Sequence, residues 1–503
     1  MLRRVKSLGI VGIDLVEIDI EVNVSNRGMP GFEIVGLPNK AVAESKQRVK
    51  SAIQNSGLKF PNKKITVNLA PADLNKVGSC YDLGIAIGIL GADADFVIPS
   101  DAIFYGELSL DGSTRSTKGS FGAGLFASTN NIHNVFISDK SASELVVPDI
   151  VKVFPVLNLY HLYSHIRNIN SIIPYRKNTT VLPTQPASEF SYEDIIGQEK
   201  AKRIITIMVA GGHHTLLYGP PGIGKTMMVR ALPSILPKLS ITDSLTVTKI
   251  YSTVSKLDSA NPIYAYPPIR SPHNSTSLAG MIGGGTHAHP GEVTLSHKGY
   301  LFMDEFCEFS RNIIDLLRQP LESGMVTLSR AGYTLEFPAQ FTLLADTNPC
   351  KCGYYGDEEV SCKCNATTLK YYRSKLTGPV LDRIDLTCRL SRESDFILQL
   401  YRNRSSVTSQ HMKSLIDISY DTRTKRGQTF LNRKLDGKYL DAAVGTIKCS
   451  SLFKSVLNTH NLSARSVTSI LRVSRTIADL RGSMDIIEDD LMESIQYKIE
   501  GVF

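Results

Sequence analysis

The stretch LLYGPPGIGKTMMVR, residues 216–230, constrains the fold of this chain more than any other. Its centre matches G-x-x-x-x-G-K-[S/T], a glycine-rich turn between a strand and a helix that surrounds the phosphates of a nucleotide. The flanks fit, because TLLY predicts the strand and MMVRALPSIL predicts the helix. We therefore predict a parallel α/β sheet that binds ATP. The predicted loop residues are Gly219, Pro220, Pro221, Gly222, Ile223, Gly224, Lys225 and Thr226.

Charged and hydroxyl side chains supply the rest of a predicted phosphate site. We expect Lys225 to reach the β- and γ-phosphate oxygens and the Thr226 hydroxyl to bind Mg²⁺. About 80 residues further on, GYLFMDEF is an apolar strand that ends in an acidic pair. Asp304 is predicted to hold Mg²⁺ through water, and Glu305 is predicted to orient or activate the attacking water.

Three further polar residues are candidates for contact with the γ-phosphate. Asn348 ends the strand FTLLADTN, where an amide can position the lytic water, although it could also cap a turn before Pro349. Arg383 follows a predicted helix in GPVLDRIDL, and Arg465 opens another in NLSARSVTSI. Either guanidinium could act as a charge clamp. An isolated arginine is more often a surface ion-pair former.

The 503 residues predict several domains in an α/β multidomain chain. Residues 1–167 mix alternating strands with helical runs, which is an α+β pattern, and the first 22 residues are interpreted as one alternating strand that begins the domain. Residues 168–190, rich in Pro, Asn, Thr and Ser, are predicted to be a linker. Residues 191–395 alternate strands and helices as a P-loop α/β domain does, and residues 396–503 are predicted to be a helical lid.

Composition limits the compartment and the partners. No stretch reaches 18 apolar residues and acidic residues interrupt the basic start, so we expect no membrane span, no signal peptide and a cytoplasmic protein. Residues 370–434 carry fourteen Lys/Arg against six Asp/Glu, an excess of eight that equals the net charge of +8. This segment suggests a polyanionic partner, although on charge alone a solvated face with a few ATP-facing arginines is the commoner explanation.

Four of the eight cysteines are grouped in NPCKCGYYGDEEVSCKCN. Two C-x-C pairs ten residues apart predict structural Zn²⁺ rather than disulfides in a cytosolic protein. A loop of free or redox-labile thiols remains the alternative. The predicted ligands are Cys350, Cys352, Cys362 and Cys364.

The ordered set GPPGIGKT, LFMDE, LADTNP, LDRID and LSARS resembles an AAA+ ATPase. Further stretches, among them IIGQEKAKR, GEVTLSHKGYLFMDEF, LRQPLESGMVTLSRA and NPCKCGYYGD, resemble the magnesium-chelatase-like ATPases of the ComM/YifB family from residue 5 to about residue 499. The resemblance implies a homo-hexameric ring that uses ATP and Mg²⁺ for branch migration of DNA junctions during integration of transforming DNA. It implies that Asn348 is sensor 1, Arg383 the trans arginine finger and Arg465 the sensor 2 arginine.

The first domain resembles the Lon-protease-like (ChlI-type) domain of that family. Lon peptidases use a Ser–Lys dyad, but here Ser79 falls one place early in NKVGSCYDLGIAIGIL and Cys80 takes the register of the nucleophile. Phe121 stands where the lysine is expected, with Lys118 close by in sequence. A nucleophile needs a base within hydrogen-bond reach, so we predict a non-proteolytic domain.

Two insertions are candidates for contact with DNA. LAGMIGGGTHAHPGEVTLSHKG is interpreted as a flexible loop, and MVTLSRAGYTLEFPAQ as a hairpin. Related AAA+ branches project such insertions into a central pore, which implies that His297, Lys298 and Arg330 contact DNA. Each could instead be an exposed loop charge.

Two other functions remain open at this stage. The first is a chelatase-like remodeller of a protein partner, against which the Lon-like front domain argues, since the chelatase motor subunit lacks one. The second is an ATP-dependent protease, which the missing dyad disfavours.

Overall fold

The computed structural model describes the chain except for several short gaps and one longer one. The residues outside the description are 37–39, 73, 75, 77, 177–184, 255–256, 259–260, 286–288, 331–332, 358, 377, 392–406, 446, 448–452, 454, 456–461 and 500–503. The described residues form a mixed α/β chain with two large sheets followed by a helical region. The predicted multidomain α/β class is therefore confirmed at this level.

A seven-stranded mixed sheet organises the first part of the chain, in the order β3-β4-β2-β1-β5-β8-β9. The apolar helix α2 packs on it, because small Gly84 and Gly88 let the helix approach Ile20 and Val22 of the sheet. The strands of this part are β1 (Leu2–Val11), β2 (Asp14–Ser25), β3 (Gly31–Val35), β4 (Lys64–Ala70), β5 (Ala102–Tyr105), β6 (Glu107–Leu108), β7 (Thr114–Arg115), β8 (Asn134–Ser138) and β9 (Lys152–Val156). Strands β6 and β7 pair with each other in a separate two-stranded sheet. The helices are α1 (Lys40–Asn55), α2 (Asp82–Ala94), α3 (Ser120–Thr129), α4 (Asp139–Ala142) and α5 (Leu159–Ile166).

The opening of the chain differs from the prediction of one strand. Leu2–Val11 and Asp14–Ser25 pair antiparallel, with Val11 opposite Asp14. The turn between them contains Gly12, whose φ of 66° lies in the left-handed region that glycine tolerates. Alternation continues through this turn, so periodicity alone does not reveal it.

A five-stranded parallel sheet forms the second part, in the order β11-β14-β17-β10-β18, as predicted. The strands of this part are β10 (Thr215–Tyr218), β11 (Ile269–Arg270), β12 (Gly283–Gly284), β13 (His289–Pro290), β14 (Tyr300–Met303), β15 (Met325–Arg330), β16 (Tyr333–Pro338), β17 (Thr342–Thr347) and β18 (Leu386–Arg389). The helices are α6 (Glu199–Gly211), α7 (Lys225–Arg230), α8 (Ile241–Thr253), α9 (Leu278–Ile282), α10 (Glu292–Leu295), α11 (Arg311–Leu316), α12 (Arg318–Ser323), α13 (Ala366–Arg373) and α14 (Gly378–Leu381). Strands β15 and β16 form the predicted hairpin.

The last part is helical, as predicted: α15 (Ser409–Lys425), α16 (Gly437–Val444), α17 (Ala464–Leu480) and α18 (Glu488–Ile499). Ser463 caps α17 by accepting a hydrogen bond from the Ser466 N–H. Inside this helix Arg475 is fully buried and pairs with Asp479. Helices α15 and α17 also pack on α6 beside the parallel sheet, so the helical region and the sheet share a core.

Parts of the predicted linker are packed against the folded domains. Ile172 belongs to the core of the first domain, and the Tyr175 N–H donates to the Val153 carbonyl at 2.7 Å. At the other end, the Gln185 side chain donates to the Pro233 carbonyl at 2.7 Å. The stretch between them, residues 177–184, lies outside the described residues.

The front domain docks on the part that contains the five-stranded sheet, through α8 and the hairpin. The Gly119 N–H donates to the Ser252 carbonyl at 3.0 Å, and the Phe121 N–H to the Ser252 hydroxyl at 3.2 Å. Ile13 enters the same apolar cluster as Phe337 of the hairpin. This interface links the front domain to an element that flanks the acidic pair in sequence.

Candidate nucleotide site and cysteine cluster

The predicted phosphate loop joins β10 to α7, as its sequence requires. Gly222 and Gly224 have φ values of 80° and 92°, a backbone conformation that a side chain rarely allows. A loop of this kind turns backbone N–H groups into a concavity that favours anions. Residues 219–226 therefore have the backbone form that a phosphate site needs.

Lys225 is held inside this loop. Its Nζ donates to the carbonyls of Gly219 at 2.7 Å and Pro220 at 2.9 Å, and to Oδ1 of Asn348 at 3.0 Å. Burial lowers the pKa of Lys225, and the nearby carboxylates of Asp346 and Asp304 oppose that shift. The lysine and the predicted sensor asparagine thus meet at the carboxyl edge of the sheet.

The acidic pair lies on the neighbouring strand end. Asp304 and Glu305 follow β14, which pairs in parallel with β17. Glu305 has a φ of 52°, and its N–H donates to Oδ1 of Asp346 at 2.8 Å. Burial, reinforced by the carboxylate of Asp304, raises the pKa of Asp346 to about 7.

Sequence reasoning missed Asp346. A signal was present, because FTLLADTN carries a carboxylate two residues before Asn348 on the strand next to the acidic pair. Carboxyl ends of adjacent parallel strands lie at one edge of a sheet, so Asp346 had to fall near Asp304. This group of oxygens, with the Thr226 hydroxyl at the start of α7, is chemically suited to Mg²⁺.

The two arginines predicted to contact the γ-phosphate lie together near the amino ends of the strands, at the opposite end of the sheet from the phosphate loop. Nη2 of Arg383 lies 2.5 Å from one carboxylate oxygen of Glu322, and Nη2 of Arg465 lies 2.7 Å from the other. They line a cleft of about 620 Å³ with three more cations and several acidic residues. The three other cations are Arg433, Lys434 and Arg472.

Topology separates these arginines from the phosphate loop. The loop follows the carboxyl end of β10, whereas Arg383 precedes the amino end of β18, which runs parallel beside β10. Strands of four residues are about 13 Å long at a rise of about 3.3 Å per residue. Arg383 therefore lies a full strand length from the loop of its own chain.

The four grouped cysteines converge. Their sulfur atoms all lie within 4.8 Å of one another. The Sγ atom of Cys350 lies 3.3 Å from that of Cys352 and 3.7 Å from that of Cys362, and Cys352 and Cys362 are 3.6 Å apart. A tetrahedral Zn²⁺ with bonds of about 2.3 Å places its sulfur ligands about 3.8 Å apart. The four thiols fit such an ion, with Cys364 as the fourth ligand.

The predicted DNA contacts fall into three different environments. His297 is only 4% exposed, and its Nδ1 accepts a hydrogen bond from the Gln340 N–H at 3.1 Å. Burial lowers its pKa to about 4, so His297 is neutral and faces the interior, which corrects the expectation of a flexible loop residue. Lys298 forms an ion pair with Asp243 at 2.8 Å. The Arg330 side chain lies outside the described residues.

The candidate nucleophiles of the front domain lie beside a carboxylate or in the apolar core. The Ser79 hydroxyl donates to the carboxylate of Glu107. Cys80 is buried, which raises the pKa of its thiol to about 12. Phe121 is buried as well. This arrangement supports the prediction of a non-proteolytic domain.

The fold and the site are those of an AAA+-like protein of the magnesium-chelatase type. One parallel sheet carries a phosphate loop, an acidic pair and a polar strand end, and helices pack beside it. Residues 191–396 match the family model described as magnesium chelatase, subunit ChlI. Residues 20–141 match subunit ChlI of Mg-chelatase, and residues 406–498 match the ChlI C-terminal model.

Relatives that match over nearly their whole length define the family within this class. The chain is 36% identical to YifB of Salmonella typhimurium over 491 residues, which covers 97% of this chain and 95% of that protein. It is also 36% identical to the competence protein ComM of Haemophilus influenzae over 500 residues, covering 97% and 96%. The chain belongs to the magnesium-chelatase-like ComM/YifB family.

Similarity to a magnesium-chelatase subunit itself is partial. The 38 kDa subunit of Cereibacter sphaeroides is 26% identical over 176 residues, covering 32% of this chain and 53% of that protein.

Membership of the family implies that the chain uses ATP and Mg²⁺. Within the described residues, no helix combines the length and the apolar character needed to cross a bilayer.

Proposed function

We propose that this protein is an ATP-driven DNA motor of the cytoplasm that assembles as a hexameric ring and migrates branched recombination junctions, which supports integration of transforming DNA. The observation that carries the proposal is the position of Arg383 and Arg465 on the sheet edge opposite Lys225. A nucleotide site divided in this way is complete only where two subunits meet. The DNA substrate is proposed from the competence name of one full-length relative and from the basic segment 370–434.

Each residue at the carboxyl edge has a proposed task in hydrolysis. Mg²⁺ held at this edge would supply positive charge that offsets the charge of the phosphates. Asp304 and Thr226 would hold the ion, and Lys225 would exchange its two loop carbonyls for phosphate oxygens. Glu305 would take the proton of the attacking water, while Asn348 orients that water.

The two arginines would act on the nucleotide of the adjacent subunit. In a single chain they share Glu322, whose side chain is 55% exposed. A carboxylate, like a phosphate, offers anionic oxygens that accept charge-assisted hydrogen bonds from guanidinium groups. The γ-phosphate of a neighbour would take the place of Glu322 when the ring closes.

DNA contact would come from elements that surround the pore of such a ring. The hairpin β15–β16 and the segment ending at Lys298 are the proposed contacts, and Lys298 would exchange its ion pair with Asp243 for a phosphate. His297 is not among them, because it is buried. Contacts of this kind are electrostatic and insensitive to base sequence.

The test uses purified protein and synthetic three- and four-strand DNA junctions with a labelled strand. We expect ATP-dependent strand displacement, stimulation of ATPase by junctions, and affinity that falls steeply with salt. Lys225→Ala, which removes the phosphate contact, is the matched inactive control. Junctions that neither stimulate ATPase nor change strands would contradict the proposal.

A protein-remodelling function is the second candidate, and the matches to magnesium-chelatase models favour it. It predicts ATPase stimulation by a protein partner and none by DNA. A pull-down from cell extract with and without nuclease treatment separates the two functions. Capture that survives nuclease and moderate salt would favour the remodeller.

A further inference from the structure

The cysteine knuckle, defined as residues 350–364, is in direct contact with the phosphate loop. Gly353 has a φ of 89° and lies so close to Pro221 that an added Cβ would be 2.7 Å from Pro221 Cδ. Contacts shorter than 3.0 Å essentially never occur for a real Cβ. The knuckle therefore touches the loop backbone region with no space between them.

The knuckle is also joined to the hydrolytic side of the site by chain connectivity. Only Pro349 separates Cys350 from Asn348, whose Oδ1 accepts from Nζ of Lys225 at 3.0 Å. Cys350 is fully buried. A shift of the Cys350 backbone is therefore passed to Asn348 through only two peptide units.

Two arginines anchor the middle of the knuckle to the same domain. Nη2 of Arg389, at the end of β18, donates to the Gly356 carbonyl at 2.9 Å. The guanidinium of Arg373 lies 4.1 Å from the ring centroid of Tyr355. These contacts hold the knuckle against the strand ends that carry the nucleotide site.

The described part of the knuckle contains turns but no helix or strand before Ala366. Cys352, Cys362 and Cys364 are only half-buried. A segment with so little regular structure and so little buried surface depends on its cross-link for a fixed shape. The sulfur positions fit a tetrahedral thiolate set, so a metal ion is the cross-link that this arrangement suits.

We propose that Zn²⁺ bound by the four knuckle thiolates controls nucleotide binding, through the contact of Gly353 with Pro221 and the short link from Cys350 to Asn348. The metal holds the knuckle in place, and the knuckle holds the loop and the asparagine in the form that accepts phosphate. Loss of the metal releases the phosphate loop and Asn348 from that form. The inference rests on the proposed ATP site but not on the proposed DNA activity.

Because such coupling is reciprocal, it can be measured either as nucleotide affinity or as zinc affinity. If the metal favours nucleotide binding, nucleotide must favour metal binding by the same factor. We expect a factor of about ten, within the range usual for coupled sites. A non-hydrolysable ATP analogue with Mg²⁺ should therefore raise the affinity for zinc by the same factor, measured by equilibrium competition with a zinc-selective chelator that spares Mg²⁺.

Two glycine variants of the full chain distinguish the proposed coupling between the knuckle and the phosphate loop from a general effect of backbone strain. Gly353→Ala and Gly356→Ala both place a side chain at positive φ, at 89° and 75°, within one knuckle. Only the first collides with Pro221, since the nearest atom to a Cβ at Gly356 is the end of the Arg389 side chain at 3.4 Å. Both should retain one zinc per chain by elemental analysis. We expect Gly353→Ala to weaken binding of the analogue about tenfold and Gly356→Ala to leave it within about twofold of the wild type.

Three results would overturn the inference. The first is purified, zinc-supplemented protein without bound metal. The second is equal zinc affinity with and without the analogue. The third is normal analogue binding by a zinc-loaded Gly353→Ala variant, which keeps the test valid even if metal-free protein unfolds. None of these measurements contains DNA, so failure here is distinct from failure of the proposed motor function.

Discussion

The backbone N–H of Glu305 donates a hydrogen bond of 2.8 Å to Oδ1 of Asp346, across the ends of two adjacent parallel strands. Glu305 stands at a φ of 52°, which few residues with a side chain adopt without support. Asp346 is 2% exposed, so the bond is protected from water. Asp346 is therefore a positioning residue for the proposed base, and it acts through the backbone.

Replacement of Asp346 should separate this positioning role from a role of its charge. Asp346→Ala leaves the Glu305 N–H without its acceptor, and an unsatisfied buried group costs about 1–3 kcal/mol. We expect kcat for ATP to fall about tenfold or more, with a smaller change in KM. Asp346→Asn keeps an acceptor oxygen and should retain kcat within about threefold. Equal loss in both variants would show that the carboxylate charge is what matters.

Lys225 and Glu305 should have separable roles. Lys225→Ala removes the cation on the β- and γ-phosphates, so binding of a fluorescent ATP analogue should be abolished. Glu305→Gln keeps the size of the side chain but not the base, so ATP should bind and persist without hydrolysis. Cross-linking should then reveal trapped assemblies in Glu305→Gln alone. Equal loss of ATP binding in the two variants would refute this division.

Several parts of the site could be predicted from the sequence, because short local patterns of residues determine them. TLLY, YLFM and TLLADT are short apolar runs, and each one forms a strand of the parallel sheet. The hairpin β15–β16 was likewise predicted from alternation around one turn. Strand order places the ends of these runs together, so Asn348 meets Lys225 as the motifs suggest.

Other features depended on tertiary contacts that no local pattern contains. His297 lies among glycines and histidines in sequence, yet packing against the Gln340 backbone buries it. Arg383 and Arg465 are 82 positions apart in the numbering, and their meeting at Glu322 depends on how α17 packs beside the sheet. The contact of Gly353 with Pro221 also joins residues from two separate loops.

The burial of His297 predicts a pH dependence of stability. Its pKa falls from 6.5 to about 4 on folding, so the folded state resists protonation. A depressed pKa contributes stability above the unfolded value, and this contribution is lost as pH falls from about 6.5 through about 4. The shift corresponds to about 3 kcal/mol. His297→Asn, which keeps an acceptor for the Gln340 N–H, should make the unfolding free energy less dependent on pH in this window.

The measurement is urea unfolding at several pH values, with exposed His411→Asn as the matched control. Other buried histidines contribute equally to all three proteins, so the difference from wild type isolates His297. A wild-type profile retained in His297→Asn would contradict the assignment of a neutral buried imidazole.

The front domain should show no peptidase activity. The Ser79 hydroxyl donates to a carboxylate, and burial raises the pKa of the Cys80 thiol to about 12, so neither group is an activated nucleophile at neutral pH. Casein should remain intact with ATP and Mg²⁺ present. Degradation by the wild type that disappears in Ser79→Ala would overturn this prediction.

The pair formed by Arg383 and Glu322 gives the most direct test of a shared nucleotide site. Arg383 is at the amino edge of the sheet and Lys225 at the carboxyl edge, so one chain cannot bring them to one γ-phosphate. ATP hydrolysis should therefore rise more steeply than linearly with protein concentration. Arg383→Ala should still bind ATP through Lys225 but hydrolyse it about 10³-fold more slowly, which is the effect of losing an arginine finger.

Mixing two inactive variants then distinguishes a shared site from a damaged one. In a mixture of Arg383→Ala with Lys225→Ala, each mixed ring contains interfaces at which an intact loop faces an intact arginine. Partial ATPase should return at those interfaces, whereas neither variant recovers alone. Arg465 pairs with the other carboxylate oxygen of Glu322 in the same cleft, so Arg465→Ala should complement Lys225→Ala in the same way. Full activity of Arg383→Ala, or co-assembly without recovery, would argue against a site completed in trans. Complementation by Arg465→Ala alone would make Arg465 the main clamp, because only the residue that reaches across the interface can be supplied by a neighbour.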